Sequence, residues 1–228
     1  MKTIQLTFLM AFFFVASVAQ NKETRNVGAF EGVASSGSYN IYLTYGNKQS
    51  VVLEGDRDDL EETITEVKGG ILKIRKKDNN SWGWNNDKVD VHITTNVLTK
   101  VAVSGSGDIV SKNKFKVKDL RLSVSGSGDI DMDVEANDLV VKVSGSGDVD
   151  LRGSAESNDV SISGSGSLDA EDLIVDYYDI SIAGSGRCRI HANKEIDSSI
   201  AGSGSIYYKG NPDKINNSSA GSGKIKKL

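Results

Sequence analysis

From Val101 onward, apolar and polar residues alternate in short runs that restart at a fixed interval. Asp129, Asp131 and Asp133 fall on one face of such a run, and Ile130, Met132 and Val134 fall on the other. Strict alternation is the signature of a strand with one buried face. The interval is marked by a triplet, Gly-Ser-Gly, beginning at Gly105, Gly126, Gly145, Gly164, Gly184, Gly202 and Gly221, with steps of 18 to 21 residues. Two residues after the triplets stand Ile109, Ile130, Val149, Leu168, Cys188, Ile206 and Ile225. Two before them stand Val103, Val124, Val143, Ile162, Ile182, Ile200 and Ser219.

A period near 20 residues with apolar side chains in register predicts stacked coils, each burying its apolar face on its neighbours. The fold expected is all-β: a right-handed parallel β-helix, or β-solenoid, of roughly 20-residue coils. Turns such as Glu135-Ala136-Asn137-Asp138 supply the other corners. Alternation carried through the triplet points both glycines inward, where a side chain would hold neighbouring backbone apart. A phosphate-binding loop is a poor reading, because no copy is followed by Lys-Ser or Lys-Thr or by a helical pattern.

Residues 27–99 lack the triplets but keep the alternation. SVVLEG, GILKIRK and KVDVHIT read as strands, with turns at Gly46-Asn47 and Gly69-Gly70 and a loop from Lys77 to Asp87. They are expected to form irregular earlier coils of the same domain, with regular coils over 100–228. Residues 58–68 fit a short helix, with Asp58 and Glu61 available as caps, or another strand.

The first 19 residues have the layout of a secretory signal: Lys2, an apolar run from Leu6 to Val15, and small residues at Ser17 and Ala19. Export is the expectation, to the periplasm, cell surface or medium, with residues 20–228 as the mature domain. No cysteine stands at the cut, so a lipoprotein is not expected. No later run approaches the ~18 apolar residues of a membrane-spanning helix. Cys188 is the sole cysteine, so no internal disulfide is available and stability must come from the core. A formal net charge of −4 argues against a nucleic-acid partner.

The serial SGSGD coils join Phe30-x-Gly32-Val33, Gly37-x-Tyr39-x-Ile41-x-Leu43, Ser50-Val51-Val52-Leu53-Glu54 and Gly70-Ile71-Leu72-Lys73-Ile74. Together with the secretory signal, they resemble the bacterial autotransporter adhesin, head GIN domain family. The resemblance runs from about Val27 to the last triplet. It implies a β-helical, extracytoplasmic protein and supplies no catalytic residues. The later coils depart from SGSGD, reading SGSGS, AGSGR, AGSGS and AGSGK.

Candidate binding residues are Trp82 and Trp84, in the asparagine-rich loop, and the outward carboxylates Asp108, Asp129, Asp131, Asp148 and Asp150. Exposed aromatic faces beside amides suit sugar rings. Stacked carboxylates raise calcium as a ligand, but the spacing lacks the nine-residue repeat that brings aspartates onto one ion. No other cofactor or metal site is expected. Periodic carboxylates also raise polysaccharide cleavage, yet no distinctive cluster of Asp, Arg, Lys and His interrupts the pattern. The expected function is non-enzymatic binding of glycan or another cell-surface macromolecule. The alternatives are a structural or assembly role in the cell envelope and, third, a polysaccharide-cleaving enzyme. The sequence leaves oligomeric state and the binding face open.

Overall fold

The computed structural model describes residues 21–77 and 89–228; Trp82, Trp84 and the signal-like segment lie outside the described residues. The chain is nearly all β, with about seven solenoid turns of ~19 residues. Each regular coil has a wall leading into the triplet and a wall leading out of it. Asp119–Gly126, for example, pairs in parallel with the Asp138–Gly145 part of the next coil, residue for residue. The column Ile109, Ile130, Val149, Leu168, Cys188, Ile206 is continuous in register. Every member is essentially inaccessible. Successive rungs at ~4.8 Å let each aliphatic side chain rest on the one below, so apolar burial accumulates along the rod.

The triplet sits at the corner between the walls, and its two glycines are required for different reasons. The second, such as Gly128, is buried; a Cβ there would lie 2.1 Å from the Gly107 oxygen and 2.7 Å from Val103 Cγ1. The first does not follow the inward expectation. Gly105, Gly126 and their equivalents are half-buried, with φ near +125°, and an added Cβ would strike the carbonyl of the preceding coil rather than the core. That carbonyl is occupied: Gly105 O accepts both Ser127 N–H and Gly128 N–H, at 2.9 and 3.0 Å. Alternation alone does not reveal a bend that turns the missing side chain along the stack.

The N-terminal third departs from simple sequence order. Gly32–Gly37 and Asn40–Tyr45 form one coil, which lies between two others. On one side are Ile71–Lys76 and Asp90–Thr95, and on the other Lys100–Gly105 and Asp108–Ser111. Beyond the outer coil the pairing turns antiparallel. Ser50–Gly55 pairs with Asp90–Thr95, Thr63–Lys68 with Ile71–Lys76, and Asn21–Thr24 with Ser50–Gly55. The outermost strand reads NKET and is wholly exposed and polar, an edge unsuited to further pairing.

The segment left open between helix and strand contains both: a helix at Arg57–Glu62, then the strand Thr63–Lys68. Its N-cap is Asp56, with no side-chain capping bond, so the cap expected from Asp58 and Glu61 does not form. The helix is held instead by burial of Leu60. At the opposite end the inward columns turn polar. Val141, Val160 and Ile180 give way to Ser198 and Asn217, and Ile200 gives way to Ser219. Ser198 Oγ donates to Asn217 Oδ1 at 2.8 Å, closing the core under a hydrogen-bonded lid.

Candidate functional site

The expected carboxylates lie on the wall that leaves the triplet, in two outward columns. The first runs Asn40, Asp108, Asp129, Asp148, Ser167, Arg187, Ser205, Lys224. The second runs Tyr42, Val110, Asp131, Asp150, Asp169, Arg189, Tyr207, Lys226. The repeat thus brings all five aspartates onto one surface.

In the first column the carboxylates are structural acceptors. Asp108 Oδ1 accepts Asp129 N–H at 3.3 Å, Asp129 Oδ1 accepts Asp148 N–H at 2.8 Å, and Asp148 Oδ1 accepts Ser167 N–H at 2.9 Å. A carboxylate receiving a backbone N–H is a charge-assisted bond, which offsets part of the repulsion between stacked negative groups. Where the aspartate disappears from the motif, the bond changes partner. Arg187, Ser205 and Lys224 donate their N–H to the carbonyls of Gly166, Gly186 and Gly204, at 3.1 to 3.2 Å. The aspartate of SGSGD therefore ties each rung to the next.

In the second column Asp131 pairs with the Arg152 guanidinium. Asp150 has no ion pair or side-chain hydrogen bond among the described residues. Partial removal from water, and then the Asp169, Asp131 and Asp148 carboxylates, push its carboxyl above the usual range. Farther along, Glu171 accepts Lys209 at 2.6 Å and Arg189 at 3.0 Å. The Lys209 bond, aided by both cations, holds Glu171 below the ordinary carboxylate range. No three His, Cys, Asp or Glu side chains converge to hold a metal ion among the described residues.

Of the two histidines, His92 stacks on Tyr42 with ring centroids 5.1 Å apart and approaches Glu54 at 3.4 Å. Lys112 Nζ lies 3.9 Å over the same Tyr42 ring. Cys188 is fully buried, and burial pushes its thiol up to about 12, so it remains protonated and inert.

The other wall carries a feature that the repeat did not disclose. Two outward columns flank a shallow trough: Asp119, Asp138, Ser157, Tyr177 and Glu195 on one side, and Lys100, Arg121, Val140, Asp159, Asp179 and Asp197 on the other. The trough opens into about 550 Å³ around Lys100, Arg121 and Asp138, and about 260 Å³ around Ser157, Tyr177 and Asp179. These two parts are adjacent rungs, because Asp138 pairs with Ser157 and Val140 with Asp159. Tyr177 is 43% exposed while its neighbour Tyr178 is buried. Register shifts between Ala170 and Ile174 and between Val175 and Tyr177 mark bulges that re-aim this stretch. The Tyr177-Tyr178 pair was a visible sequence signal, but the trough follows only from the register between coils.

Beneath it lies an oddity of the core. Asn158 is 1% exposed, in a column between Leu139 and Tyr178; its amide lies within reach of the buried Tyr178 hydroxyl, but neither group makes a hydrogen bond of good geometry among the described residues.

A triplet-cornered solenoid with carboxylate-tied rungs and an open outer trough defines a class of repetitive β-solenoid scaffold. The chain belongs to the family described as "Putative auto-transporter adhesin, head GIN domain", whose pattern matches residues 29–212. It is similar to the crystal structure of a "putative adhesin" from Bacteroides fragilis, with 26% identity and a TM-score of 0.86 over 93% of this chain and 98% of that one. The same fold occurs in a "putative lipid binding protein" from Parabacteroides distasonis, at 23% identity and a TM-score of 0.73, covering 92% and 97%. It also occurs in a "putative adhesin" from Parabacteroides merdae, at 19% identity and a TM-score of 0.71, covering 92% and 97%. No curated protein matches the sequence. Among the described residues no helix is long and apolar enough to cross a membrane.

Proposed function

We propose that this chain is an exported, non-enzymatic adhesin-type protein that binds an extended glycan along the wall leading into the triplet. The observation that carries the reading is the trough between the Tyr177 and Asp179 columns. From Lys100 to Asp197 it crosses five rung steps, or about 24 Å at ~4.8 Å each. An open trough of that length suits a chain molecule gripped by repeated weak contacts better than a compact metabolite. Tyr177 offers an aromatic face for a sugar ring, and Asp159 and Asp179 offer acceptors for hydroxyl groups. Membership in an adhesin family supports binding as the activity and export as the route, and the layout of residues 1–19 supports reading them as the signal.

Against catalysis stands the use already made of the periodic carboxylates. Asp108, Asp129 and Asp148 hold backbone amides, and Asp131 holds a guanidinium. A general acid and base need two carboxyls free to exchange protons at a controlled separation.

A glycan array followed by calorimetry on the purified mature protein tests the reading. Tyr177→Ala is expected to weaken binding about tenfold, equivalent to ~1.4 kcal/mol. Replacement of Trp82 and Trp84, made in parallel, measures their share. Absence of binding across the array, or binding indifferent to Tyr177 and Asp179 alike, overturns the glycan reading.

A further inference from the structure

The wall that leaves the triplet is polarised along the rod. In its first two outward columns the carboxylates fill the early rungs and the cations the late ones, about a midpoint at the rung of Ser167 and Asp169; the early cation Arg152 stands in the next column and is paired with Asp131. Asp148 and Asp150 stand one rung before that midpoint and Arg187 and Arg189 one rung after; Asp108 stands three before and Lys224 three after. Asp150, Arg187 and Lys224 have no ion pair or side-chain hydrogen bond among the described residues.

We propose that this wall docks against the same wall of a second copy of the chain, the two rods antiparallel about a two-fold axis along the Ser167–Asp169 strand. Such an axis keeps each column opposite itself while reversing rung order. Asp148 of one copy then meets Arg187 of the other, Asp150 meets Arg189, and Asp108 meets Lys224, each twice by symmetry. Asp129 meets the Ser205 hydroxyl and Asp131 the Tyr207 hydroxyl. Parallel rods, related by a two-fold along the rod, would exchange the two columns and set Asp148 on Asp150 and Arg187 on Arg189, so charge alone selects the antiparallel arrangement. The like-charged approaches, Asp169 on Asp169 and Glu171 on Glu171, fall on the axis, where Arg189 is the next rung and where Arg189 and Lys209 already pair with Glu171.

The face is roughly 30 Å long and about 15–20 Å wide, so each copy buries roughly 500 Å². The total, about 1,000 Å², sits at the bottom of the range for specific pairs. Exposed ion pairs are individually weak and screened by salt. A weak, salt-sensitive dimer follows, one that leaves the trough on the other wall uncovered.

Sedimentation velocity on the mature protein, from about 10 µM to 1 mM at low salt, is expected to show reversible dimers, weakened at least about tenfold by 0.5 M salt. The reversal pair Asp148→Lys with Asp150→Lys makes every charge at these contacts positive; Arg187→Glu with Arg189→Glu makes every one negative. Each variant alone should be monomeric, and an equimolar mixture should form a mixed dimer. Circular dichroism checks folding, and Asp108→Lys against Lys224→Glu serves as an independent pair. A wild type monomeric up to 1 mM at low salt, or a dimer that persists in either reversal, overturns the proposal. So does a mixture of folded variants that fails to associate.

Discussion

Replacing Gly145 by alanine places a Cβ where the stack has no room. The backbone there has φ +127°, and the new atom would lie 2.4 Å from Gly126 O, against an ordinary contact of 3.4 Å or more. Holding an L side chain in that conformation costs about 1–3 kcal/mol. The carbonyl must also retreat by about an ångström, and it accepts Ser146 N–H and Gly147 N–H at 2.9 and 3.1 Å. Losing both bonds adds about 0.5–1.5 kcal/mol each. The expected destabilisation is roughly 2–6 kcal/mol, a fall of roughly 1 M or more in urea midpoint. Ser146→Ala, one residue on and exposed, is the control and should change stability by less than about 0.5 kcal/mol. Gly221→Ala meets a similar obstacle at 2.3 Å from Gly202 O, but in the terminal rung, where fraying relieves it. Hydrogen exchange should confine its effect to the last coil. A Gly145→Ala midpoint indistinguishable from that of Ser146→Ala would refute the account of the corner.

Four further outcomes are expected. Cys188 should resist alkylation in the folded protein at pH 8 and react fully in denaturant, because the native thiol titrates only near 12; rapid labelling without unfolding would contradict its burial. Replacing Asn158 by leucine together with Tyr178 by phenylalanine should leave stability unchanged or raise it by about 1–3 kcal/mol in urea titration, since both members of a poorly satisfied buried polar pair give way to apolar groups of similar shape. Glu171 has a folded-state pKa below its ordinary 4.5, so its stabilisation is present above that value and is lost as pH falls through the folded pKa. Glu171→Gln should therefore flatten the acid side of the stability profile below about pH 5. Asp150 has the opposite sign: its raised pKa disfavours the folded state once pH climbs past its ordinary 3.8, and Asp150→Asn should raise stability at neutral pH, measured by thermal melting.

Much of the architecture could be read from residue types alone. Ile130, Val149, Leu168 and Cys188 recur at one phase of a fixed period, and only stacking makes use of such a phase. The burial of Tyr178 beside exposed Tyr177 also follows from alternation. Neighbour identity is harder to read, because alternation says which way a side chain points and not which strand lies alongside. Gly32–Gly37 looks like a first coil, yet it pairs with both Ile71–Lys76 and Lys100–Gly105. The aspartates were legible as a surface column, and their role was not. Whether Asp129 faces water or the amide of Asp148 depends on a 2.8 Å separation between rungs. The trough of Tyr177 and Asp179 depends likewise on register and on bulges that no repeat encodes.

The placement of Gly32–Gly37 and Asn40–Tyr45 between two later segments has a consequence for how the rod is assembled. A chain emerging N-terminus first delivers these strands early, but both of their flanking rungs arrive only once Ser111 has emerged. Nearly half of the molecule must therefore be delivered before its founding layer is enclosed. After that point each new rung finds a finished template, and growth proceeds by simple addition until Asn217 and Ser219 end it with hydrophilic groups.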